Sequence, residues 1–258
     1  MINLGSIFPN FEAETTVGKI KFHDWLGESW GILFSHPSDF TPVCTTELSR
    51  VLQLIKEFEQ RNTKVIALSC DSVQSHLDWI KDILSYSGSG DDSSFSYPII
   101  ADESRSLAVE LGMLDPVEKD SKGMPLTCRS VFIVDPSKKL RLSILYPATT
   151  GRNFDEILRV LDSLQLTDTK KVATPVDWQI GKQCMILPTV PEAEAKQLFP
   201  QGFETVSVPS NKGYIRKVLP QLSPSQRFVN YIIAQLHSRP STGKVPKSFS
   251  KKKKEGRV

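Results

Sequence analysis

One stretch of the chain combines a cysteine, a threonine and two prolines at spacings suited to thiol chemistry. It runs from His36 to Glu47 and reads His-Pro-Ser-Asp-Phe-Thr-Pro-Val-Cys-Thr-Thr-Glu. An apolar run typical of a strand precedes it, and apolar residues spaced by three and four follow it, as in an amphipathic helix. Cys44 is therefore predicted in the first turn of a helix, where free backbone N–H groups and the helix dipole favour an anion. For a cysteine, that environment favours the thiolate, which is the nucleophilic form.

Two neighbours of Cys44 could shape a pocket around the sulfur. Thr41 precedes the cysteine by three residues, so its hydroxyl could donate to the sulfur or to a bound oxygen. Pro37 has no N–H and could wall off a small pocket, while Pro42 fixes the local backbone. The alternative is that Cys44 has only a structural role, because most free cysteines are small buried hydrophobic residues. Position alone leaves both interpretations of Cys44 open.

The pattern Pro-x-x-x-Thr-x-x-Cys, formed by Pro37, Thr41 and Cys44, resembles the peroxidatic motif of the peroxiredoxins. The longer run around it is similar to that of their one-cysteine (1-Cys) class. Stretches 111–116, 145–153 and 173–178 agree with this resemblance, which covers about residues 1 to 220. It implies a thioredoxin-like fold and an antioxidant oxidoreductase that reduces hydrogen peroxide and organic or lipid hydroperoxides.

The resemblance also implies roles for four residues outside the Pro-Thr-Cys pattern. It places an active-site arginine at Arg129, where a cation would stabilise charge on the leaving oxygen. Without the resemblance, a surface salt bridge would be the better interpretation of this arginine. Glu47 and Arg152 are expected to position Arg129 and the loop. His36 matches a histidine near the sulfur that would hydrogen-bond or help proton transfer, with a neutral core histidine as the alternative.

The remaining cysteines bear on how oxidised Cys44 is reduced. Cys70, Cys128 and Cys184 form no Cys-x-x-Cys pair, which argues against a zinc site, a thioredoxin-type dithiol or a secreted disulfide scaffold. We expect neither a metal nor a cofactor. Cys70 ends a predicted strand on the active-site side and is the best internal partner, whereas strand alternation turns Cys128 away from the pocket. Buried structural roles are nevertheless favoured for all three.

An external thiol is therefore expected to reduce the sulfenic acid. Residues 167–178, where two-cysteine enzymes usually carry the resolving thiol, contain no cysteine. The resemblance to the 1-Cys class implies glutathione, with a glutathione transferase as partner.

A second motif indicates a different function. Gly27–Gly31 fits Gly-x-Ser-x-Gly, the nucleophile elbow of lipases, but the predicted strand follows Ser29 instead of preceding it. Members of the 1-Cys class have a phospholipase A2 activity assigned to residues that match Ser29, His23 and an aspartate. The aspartate position is Ser137 here, and Asp135 lies two residues away. A lipid hydrolase is thus the alternative function, with an incomplete triad.

Bulk composition narrows the class of protein and its location. The 258 residues are 39% hydrophobic and 24% charged, enough for a substantial core. No run reaches the ~18 apolar residues of a membrane span, and the start lacks the pattern of a signal peptide, so we expect a cytoplasmic protein. The net charge of +3 comes partly from Lys251–Lys254 and gives no case for nucleic acid binding by the body. That run could be a nuclear-import signal or simply a solvated tail.

Alternating strands and helices closed by a hairpin predict an α/β sheet with its site beyond the carboxyl ends of the strands. Predicted strands are 30–34, 65–69, 131–134, 140–146 and 185–188, and predicted helices are 72–86, 105–113, 153–164 and 191–199. Residues 8–23 are predicted to form a strand-and-turn opening, in which 19–22 alternate as in a strand with one buried face. We divide the chain into a peroxidase domain (1–167), a C-terminal domain (168–225) and a basic tail (226–258) of the composition typical of disorder. Residues 167–171 are predicted to be a linker. The resemblance implies that the C-terminal domain covers the site and contributes to a homodimer.

Overall fold

The computed structural model describes residues 2–88 and 94–222. Its strands are β1 (Glu12–Ala13), β2 (Ile20–Lys21), β3 (Trp30–Ser35), β4 (Thr63–Ser69), β5 (Ile99–Ala101), β6 (Leu114–Lys119), β7 (Pro125–Thr127), β8 (Arg129–Val134), β9 (Leu140–Tyr146), β10 (Val172–Ala173), β11 (Cys184–Ile186), β12 (Glu204–Thr205) and β13 (Arg216–Val218). Its helices are α1 (Phe22–Leu26), α2 (Pro42–Gln53), α3 (Ile55–Gln60), α4 (Val73–Ser87), α5 (Ser106–Glu110), α6 (Phe154–Thr169) and α7 (Glu192–Leu198).

A five-stranded sheet in the order β5-β4-β3-β8-β9 forms the centre of the larger domain. β3, β4 and β5 run parallel to one another. β8 runs antiparallel to β3, and β9 runs antiparallel to β8. Every residue of β3 is buried, as expected for a strand covered on both faces, which explains its continuous apolar sequence. The predicted strands and the β8–β9 hairpin are thus confirmed, and β3 and β4 end at the same edge.

Alternate residues of the sheet feed two separate cores. Ile32 and Phe34 point into a cluster with α2, α4 and α6, which contains Cys44. Leu33 and Phe132 point into a second cluster, with α1, α5 and the start of the chain. This is the period-2 alternation of a strand, and it separates the molecule into a Cys44 face and an opposite face.

The helices after β3 and β4 differ in detail from the predicted ones. The apolar periodicity after Cys44 predicts one helix, but the structure has two, α2 and α3, which are separated at Leu54. α4 begins where predicted because the Ser72 hydroxyl accepts a hydrogen bond from the Ser75 N–H at 3.2 Å. It ends at Gly88 in the left-handed conformation (φ 78°), which costs glycine little.

The predicted linker at 167–171 is wrong, because α6 continues to Thr169. Two threonine hydroxyls of the last turn bond back to helix carbonyls, Thr167 to Leu164 at 3.1 Å and Thr169 to Gln165 at 3.2 Å. These residues therefore extend the helix, and Leu166 packs into the core of the smaller domain.

The smaller domain is a four-stranded antiparallel sheet, in the order β10-β11-β13-β12, with α7. Its core is built around Trp178, which is 2% exposed. The predicted strand near 185–188 and helix near 191–199 correspond to β11 and α7. The predicted tail, 226–258, lies outside the described residues.

Two local predictions near the large sheet need correction. The strand predicted over 19–22 is shortened to the two-residue β2 and is followed by α1, because Phe22 and Leu26 are spaced to bury one face of a short helix. The β6–β7 pair was not predicted, since β6 is largely exposed and contains a proline. Within the described residues, no helix is both long and apolar enough to cross a bilayer.

Candidate active site

Cys44 lies in the first turn of α2, which follows β3 through the loop 36–41. Thr41 is the residue before the helix and Pro42 is its first residue, a position where the missing proline N–H costs nothing. The cysteine is 0% exposed. Its sulfur accepts a hydrogen bond from Arg129 Nη1 at 3.3 Å. Helix N-termini and cationic neighbours are the surroundings in which reactive cysteines are found.

Arg129 is held rigidly at the start of β8. Its Nε and Nη2 donate to the Ala148 carbonyl at 2.9 and 2.6 Å. Its Nη1, which contacts the sulfur, also donates to Glu47 Oε2 at 2.8 Å. The arginine is 3% exposed, so this is a buried hydrogen-bonded group and not a surface salt bridge. The planar fork is fixed on one side, which leaves Nη1 directed at the sulfur.

Glu47 connects Arg129 to a second buried arginine. Arg152 donates from its backbone N–H and its Nε to Glu47 Oε1, at 2.7 and 3.0 Å, and from Nη2 to Oε2 at 2.7 Å. Arg152 Nη1 donates to the carbonyls of Ser35 and Ser130, at 2.9 and 2.7 Å. Burial alone would raise the pKa of Glu47, but Arg152 and then Arg129 lower it below the ordinary value. The Glu47 carboxylate therefore pairs with both buried guanidinium groups.

The Thr41 hydroxyl makes a different contact from the predicted one. Its hydroxyl donates to the Ser38 carbonyl at 2.9 Å and not to the sulfur. The Thr41 carbonyl in turn accepts from the Thr45 hydroxyl at 2.8 Å, which also receives the Trp79 indole N–H at 3.2 Å. Because its proton is already engaged, the Thr41 hydroxyl has lone pairs left to accept a hydrogen bond from a ligand.

His36 is engaged in a buried cluster that extends to α4. Its Nε2 lies 2.9 Å from Asp39 Oδ1, and Asp39 Oδ2 lies 2.7 Å from His76 Nδ1. His36 Nδ1 is buried and has no hydrogen-bond partner among the described residues. Burial lowers the pKa of His36 against the opposing effect of Asp39. No local pattern predicts that Asp39 and His76 meet, since they lie 37 positions apart on separate elements.

These three side chains also form the set of His and Asp groups that could hold a metal ion, with ligand atoms within 4.8 Å of one another. Their actual separations are those of hydrogen bonds. Two ligands each 2.0–2.1 Å from a tetrahedral zinc lie about 3.3 Å apart, which exceeds both nitrogen–oxygen distances here. The cluster therefore has the geometry of a hydrogen-bonded network.

The loop that carries Pro37 is held under local strain. Pro37 is buried. Phe40 adopts φ 52°, a left-handed conformation that costs a bulky residue free energy, and its side chain is 56% exposed. The backbone N–H of Asp39 donates to Asp71 Oδ2 at 2.9 Å, so the strained turn is anchored to the residues after β4.

The other three cysteines lie in different surroundings, and all are free thiols. Cys70 follows β4 at the same edge of the sheet but packs against the opposite core. Burial raises its pKa to about 11. Burial likewise raises the pKa of Cys128, and raises that of Cys184, in the smaller core, to about 11. Cys70 thus lies at the same edge of the sheet as the active site, as predicted, but it packs on the opposite face of the sheet.

The residues of the lipase alternative are engaged separately. The Ser29 hydroxyl donates to Asn62 Oδ1 at 3.2 Å, and His23 Nε2 lies 2.7 Å from the Phe8 carbonyl. Asp135 binds the Lys139 N–H and Arg141. Ser29 precedes β3, which is the reverse of the strand–nucleophile–helix order of the elbow. In the part of the chain that is described, no hydrogen bond joins these residues into a triad.

A cavity of about 400 Å³ lies beside the ion-pair network, between α2 and the first turn of α6. Glu47 and Arg152 are among its lining residues, and Cys44 is not. The sulfur is therefore separated from this open space by the charged pair.

A buried cysteine lies at a helix N-terminus on a thioredoxin-like sheet, and an arginine is directed at its sulfur. This arrangement is that of a thiol-dependent peroxidase. The family model of the AhpC/TSA family matches residues 4–143, and that of the C-terminal domain of 1-Cys peroxiredoxin matches residues 163–202. The chain thus belongs to the AhpC/TSA family, the peroxiredoxins, and to its 1-Cys class.

Individual relatives agree with this assignment. Peroxiredoxin-6 of Bos taurus is 65% identical over 213 residues, which is 83% of this chain and 95% of that protein. Peroxiredoxin-6 of Homo sapiens is 64% identical over the same shares. A cysteine-to-serine mutant of Peroxiredoxin 6 of Arenicola marina superposes with a TM-score of 0.84, at 63% identity, over 86% of this chain and 100% of that one.

A yeast mitochondrial 1-Cys peroxiredoxin, studied for thiol resolution through glutathione and thioredoxin systems, has a TM-score of 0.75 at 45% identity. It covers 84% of this chain and 99% of its own. The predicted thioredoxin-like fold and the predicted class of enzyme, a peroxidase oxidoreductase, are confirmed.

Proposed function

We propose that Cys44 is the peroxidatic nucleophile of this peroxidase and that an external thiol, glutathione, reduces it. The observation that carries the proposal is the Arg129 Nη1–Cys44 Sγ hydrogen bond of 3.3 Å at the start of α2. Such a donor stabilises the thiolate before the reaction and charge on oxygen during it.

In the proposed step the thiolate attacks one oxygen of a hydroperoxide, R–O–O–H. A sulfur–oxygen bond forms and the O–O bond breaks, which gives Cys44–S–OH and RO⁻, and RO⁻ takes a proton to leave as water or an alcohol. The sulfur is oxidised by two electrons and the peroxide is reduced by two. Arg129 lies where it can stabilise the leaving oxygen, and Thr41 has free lone pairs for the peroxide proton. Glu47 and Arg152 hold Arg129 in place.

The proposed substrates are hydrogen peroxide and organic or lipid hydroperoxides. Phe40 supports the organic substrates, because it exposes an aromatic ring on the loop that leads to Cys44. Pro37 lies buried in the same loop, where it removes a competing N–H donor.

The proposed reductant must gain access to a sulfur that has no exposed surface. Cys44 is 0% exposed, so a tripeptide thiol can reach its sulfenic acid only when the loop 36–41 or the first turn of α2 moves. None of the other cysteines packs against the Cys44 core in the described residues. The yeast relative, whose thiol resolution runs via glutathione and thioredoxin systems, supports an external thiol.

Assembly and location are further proposals. A homodimer is supported by β9, the last strand of the sheet order, whose Leu145 is 51% exposed. Analytical ultracentrifugation of the wild type beside Leu145→Lys tests it, and a wild-type monomer at micromolar concentration would contradict it. A glutathione transferase partner, a cytoplasmic location and nuclear import through Lys251–Lys254 stay predictions from the sequence.

Stopped-flow kinetics test the proposed function. The pre-reduced protein is mixed with hydrogen peroxide or with a lipid hydroperoxide, and the fluorescence of its tryptophans is followed. Regeneration is then measured with glutathione alone, with glutathione plus a glutathione transferase, and with thioredoxin. We expect rapid oxidation by both peroxides and turnover with glutathione. Turnover supported only by thioredoxin would reject glutathione as the reductant and leave the nucleophile unchanged.

A further inference from the structure

The cluster of His36, Asp39 and His76 lies outside the Cys44–Arg129–Glu47–Arg152 network and has no part in the steps above. The two histidines are 0% exposed and Asp39 is 5% exposed. Asp39 Oδ1 faces His36, and Oδ2 faces His76 and also accepts from the Ser75 hydroxyl at 2.8 Å. A buried carboxylate therefore bridges the active-site loop to α4.

The hydrogen-bond partners decide where the protons lie. Burial alone would raise the pKa of Asp39, but its hydrogen bonds with His36 and His76 hold it well below the usual range. An ionised carboxylate only accepts, so the nitrogen that faces it must carry the hydrogen. In His36 that nitrogen is Nε2. A neutral His36 ring then has no hydrogen on Nδ1, which is a lone-pair acceptor.

His76 reinforces this arrangement from the other side of the carboxylate. Its Nδ1 lies 2.7 Å from Asp39 Oδ2, and its Nε2 lies 3.2 Å from the Ile100 carbonyl. The Nδ1 contact ties the carboxylate to α4, and the Nε2 contact ties the His76 ring to β5. His76 thus fixes the orientation of the carboxylate that in turn fixes His36.

These contacts leave one acceptor of the cluster, His36 Nδ1, without a use. His36 Nδ1 is buried without a partner in the described residues. Leaving a buried acceptor unpaired is destabilising, and such groups are rare in native proteins. The ring packs 5.1 Å from that of Trp79, whose indole N–H bonds to Thr45, the residue after Cys44. The His36 ring, which carries this acceptor, therefore lies on the Cys44 face of the sheet, because Trp79 belongs to the same core as Cys44.

We propose that Asp39, oriented by His76, is a positioning residue that fixes His36 with its hydrogen on Nε2, so that Nδ1 accepts a hydrogen bond from a hydroxyl in the Cys44 pocket. The hydroxyl is that of the peroxide or of the sulfenic acid, so this inference rests on the proposed function. No proton needs to leave His36 or Asp39 in this scheme. Asp39 acts only by selecting which nitrogen offers the lone pair.

The alternative is that Asp39 merely anchors the loop. Nitrogen-15 NMR of the reduced full-length protein, labelled at histidine, separates the two roles, because protonated and unprotonated ring nitrogens have different shifts. The signal of His36 is assigned by its loss in His36→Gln. We expect an unprotonated Nδ1 and a protonated Nε2 in the wild type. Asp39→Asn should mix the two tautomers and slow peroxide oxidation by about tenfold or more.

Asp162→Asn is the matched control, since Asp162 is an equally buried carboxylate that pairs with Arg61 on another part of the fold. It should keep the His36 signature and the oxidation rate. If Asp39→Asn does not fold, His76→Asn replaces it, and we expect the same tautomer mixing in weaker form.

Three results would overturn the inference. A protonated Nδ1 in wild-type His36 removes its basis, whatever the peroxidase activity. An unchanged rate in Asp39→Asn with a mixed tautomer shows that the tautomer has no role. Equal losses of oxidation rate in Asp162→Asn and Asp39→Asn would show that the effect comes from a general loss of stability and not from the His36 tautomer. By contrast, the expected tautomer in a wild-type protein that does not react with peroxide would count against the proposed function alone.

Discussion

Cys44 and Cys70 occupy comparable places in the chain and very different places in the molecule. Each follows one of two adjacent parallel strands, β3 and β4, which end at the same edge of the sheet. After β3 the loop 36–41 leads into α2 and turns Cys44 into the core shared with α4 and α6. After β4 the chain places Cys70 against the opposite core.

The two sulfurs also face opposite electrostatic surroundings. Cys44 receives a hydrogen bond from Arg129 and lies at the start of a 12-residue helix. Burial raises the pKa of Cys70 to about 11, and the carboxylates of Asp102 and Asp71 add to this against the effect of Arg105. The sheet edge alone therefore does not distinguish the surroundings of the two sulfurs. A helix N-terminus and a cation held by other groups make the difference.

The largest difference between the two sites is expected when each cysteine is replaced in turn. Cys44→Ser should lower peroxidase turnover by at least about a thousandfold, because a hydroxyl is not ionised at neutral pH. Cys70→Ser should retain wild-type turnover, since that sulfur lies on the other face. Both are measured as peroxide consumption with glutathione, with folding checked by circular dichroism. Substantial activity in Cys44→Ser would reject Cys44 as the nucleophile.

The arginines beside the two cysteines form the second test. Arg129→Lys keeps the charge but loses the fork that binds Ala148, Glu47 and the sulfur together, so oxidation should slow about 10- to 100-fold. Arg105→Lys, beside Cys70, is the matched control and should leave the rate unchanged. Stopped-flow measurement of the second-order rate constant decides between them. Equal rates for Arg129→Lys and the wild type would place Arg129 outside the reaction.

A smaller effect on turnover, with a clear signature in stability, is expected for Glu47→Gln. The pKa of Glu47 is lowered in the folded protein from 4.5, so its contribution to stability is present above that value and is lost as the pH falls through the folded pKa. At neutral pH the variant should lose about 3 kcal/mol, because two buried arginines lose their shared carboxylate.

Urea unfolding of both proteins from pH 7 to pH 3 measures this difference. The difference in free energy of unfolding between the wild type and Glu47→Gln should become smaller below about pH 4.5. A gap that stays constant across this range would show that the Glu47 charge does not stabilise the fold.

The sequence predicted well wherever local patterns determine structure. The strands of the central sheet, the capped helix α4 and the position of Cys44 at a helix start all follow from apolar periodicity and from the residues that begin helices. The resemblance to peroxiredoxins supplied Arg129, Glu47 and Arg152, and the structure brings these three together with Cys44.

Features that depend on long-range contacts were not predictable in the same way. Asp39 meets His76 only because the loop after β3 and the start of α4 lie at one sheet edge, and single residues at such spacing carry no periodic signal. The face on which Cys70 packs depends on how the chain leaves β4. The extension of α6 through Thr169 was missed because threonines favour a loop locally, whereas their hydroxyls bond back to the helix here.

We propose that Cys44 is oxidised alone and is reduced by a thiol from outside the protein, and intact-mass spectrometry after one equivalent of peroxide distinguishes this from an internal disulfide. The wild type and a variant with Cys70, Cys128 and Cys184 all replaced by Ala should behave alike. We predict the gain of one oxygen at Cys44, a glutathione adduct there when glutathione is present, and nearly unchanged turnover in the folded variant. The loss of two hydrogens, mapped to a disulfide between Cys44 and Cys70, would contradict the account, because the protein would then supply its own resolving thiol from the opposite face of the sheet.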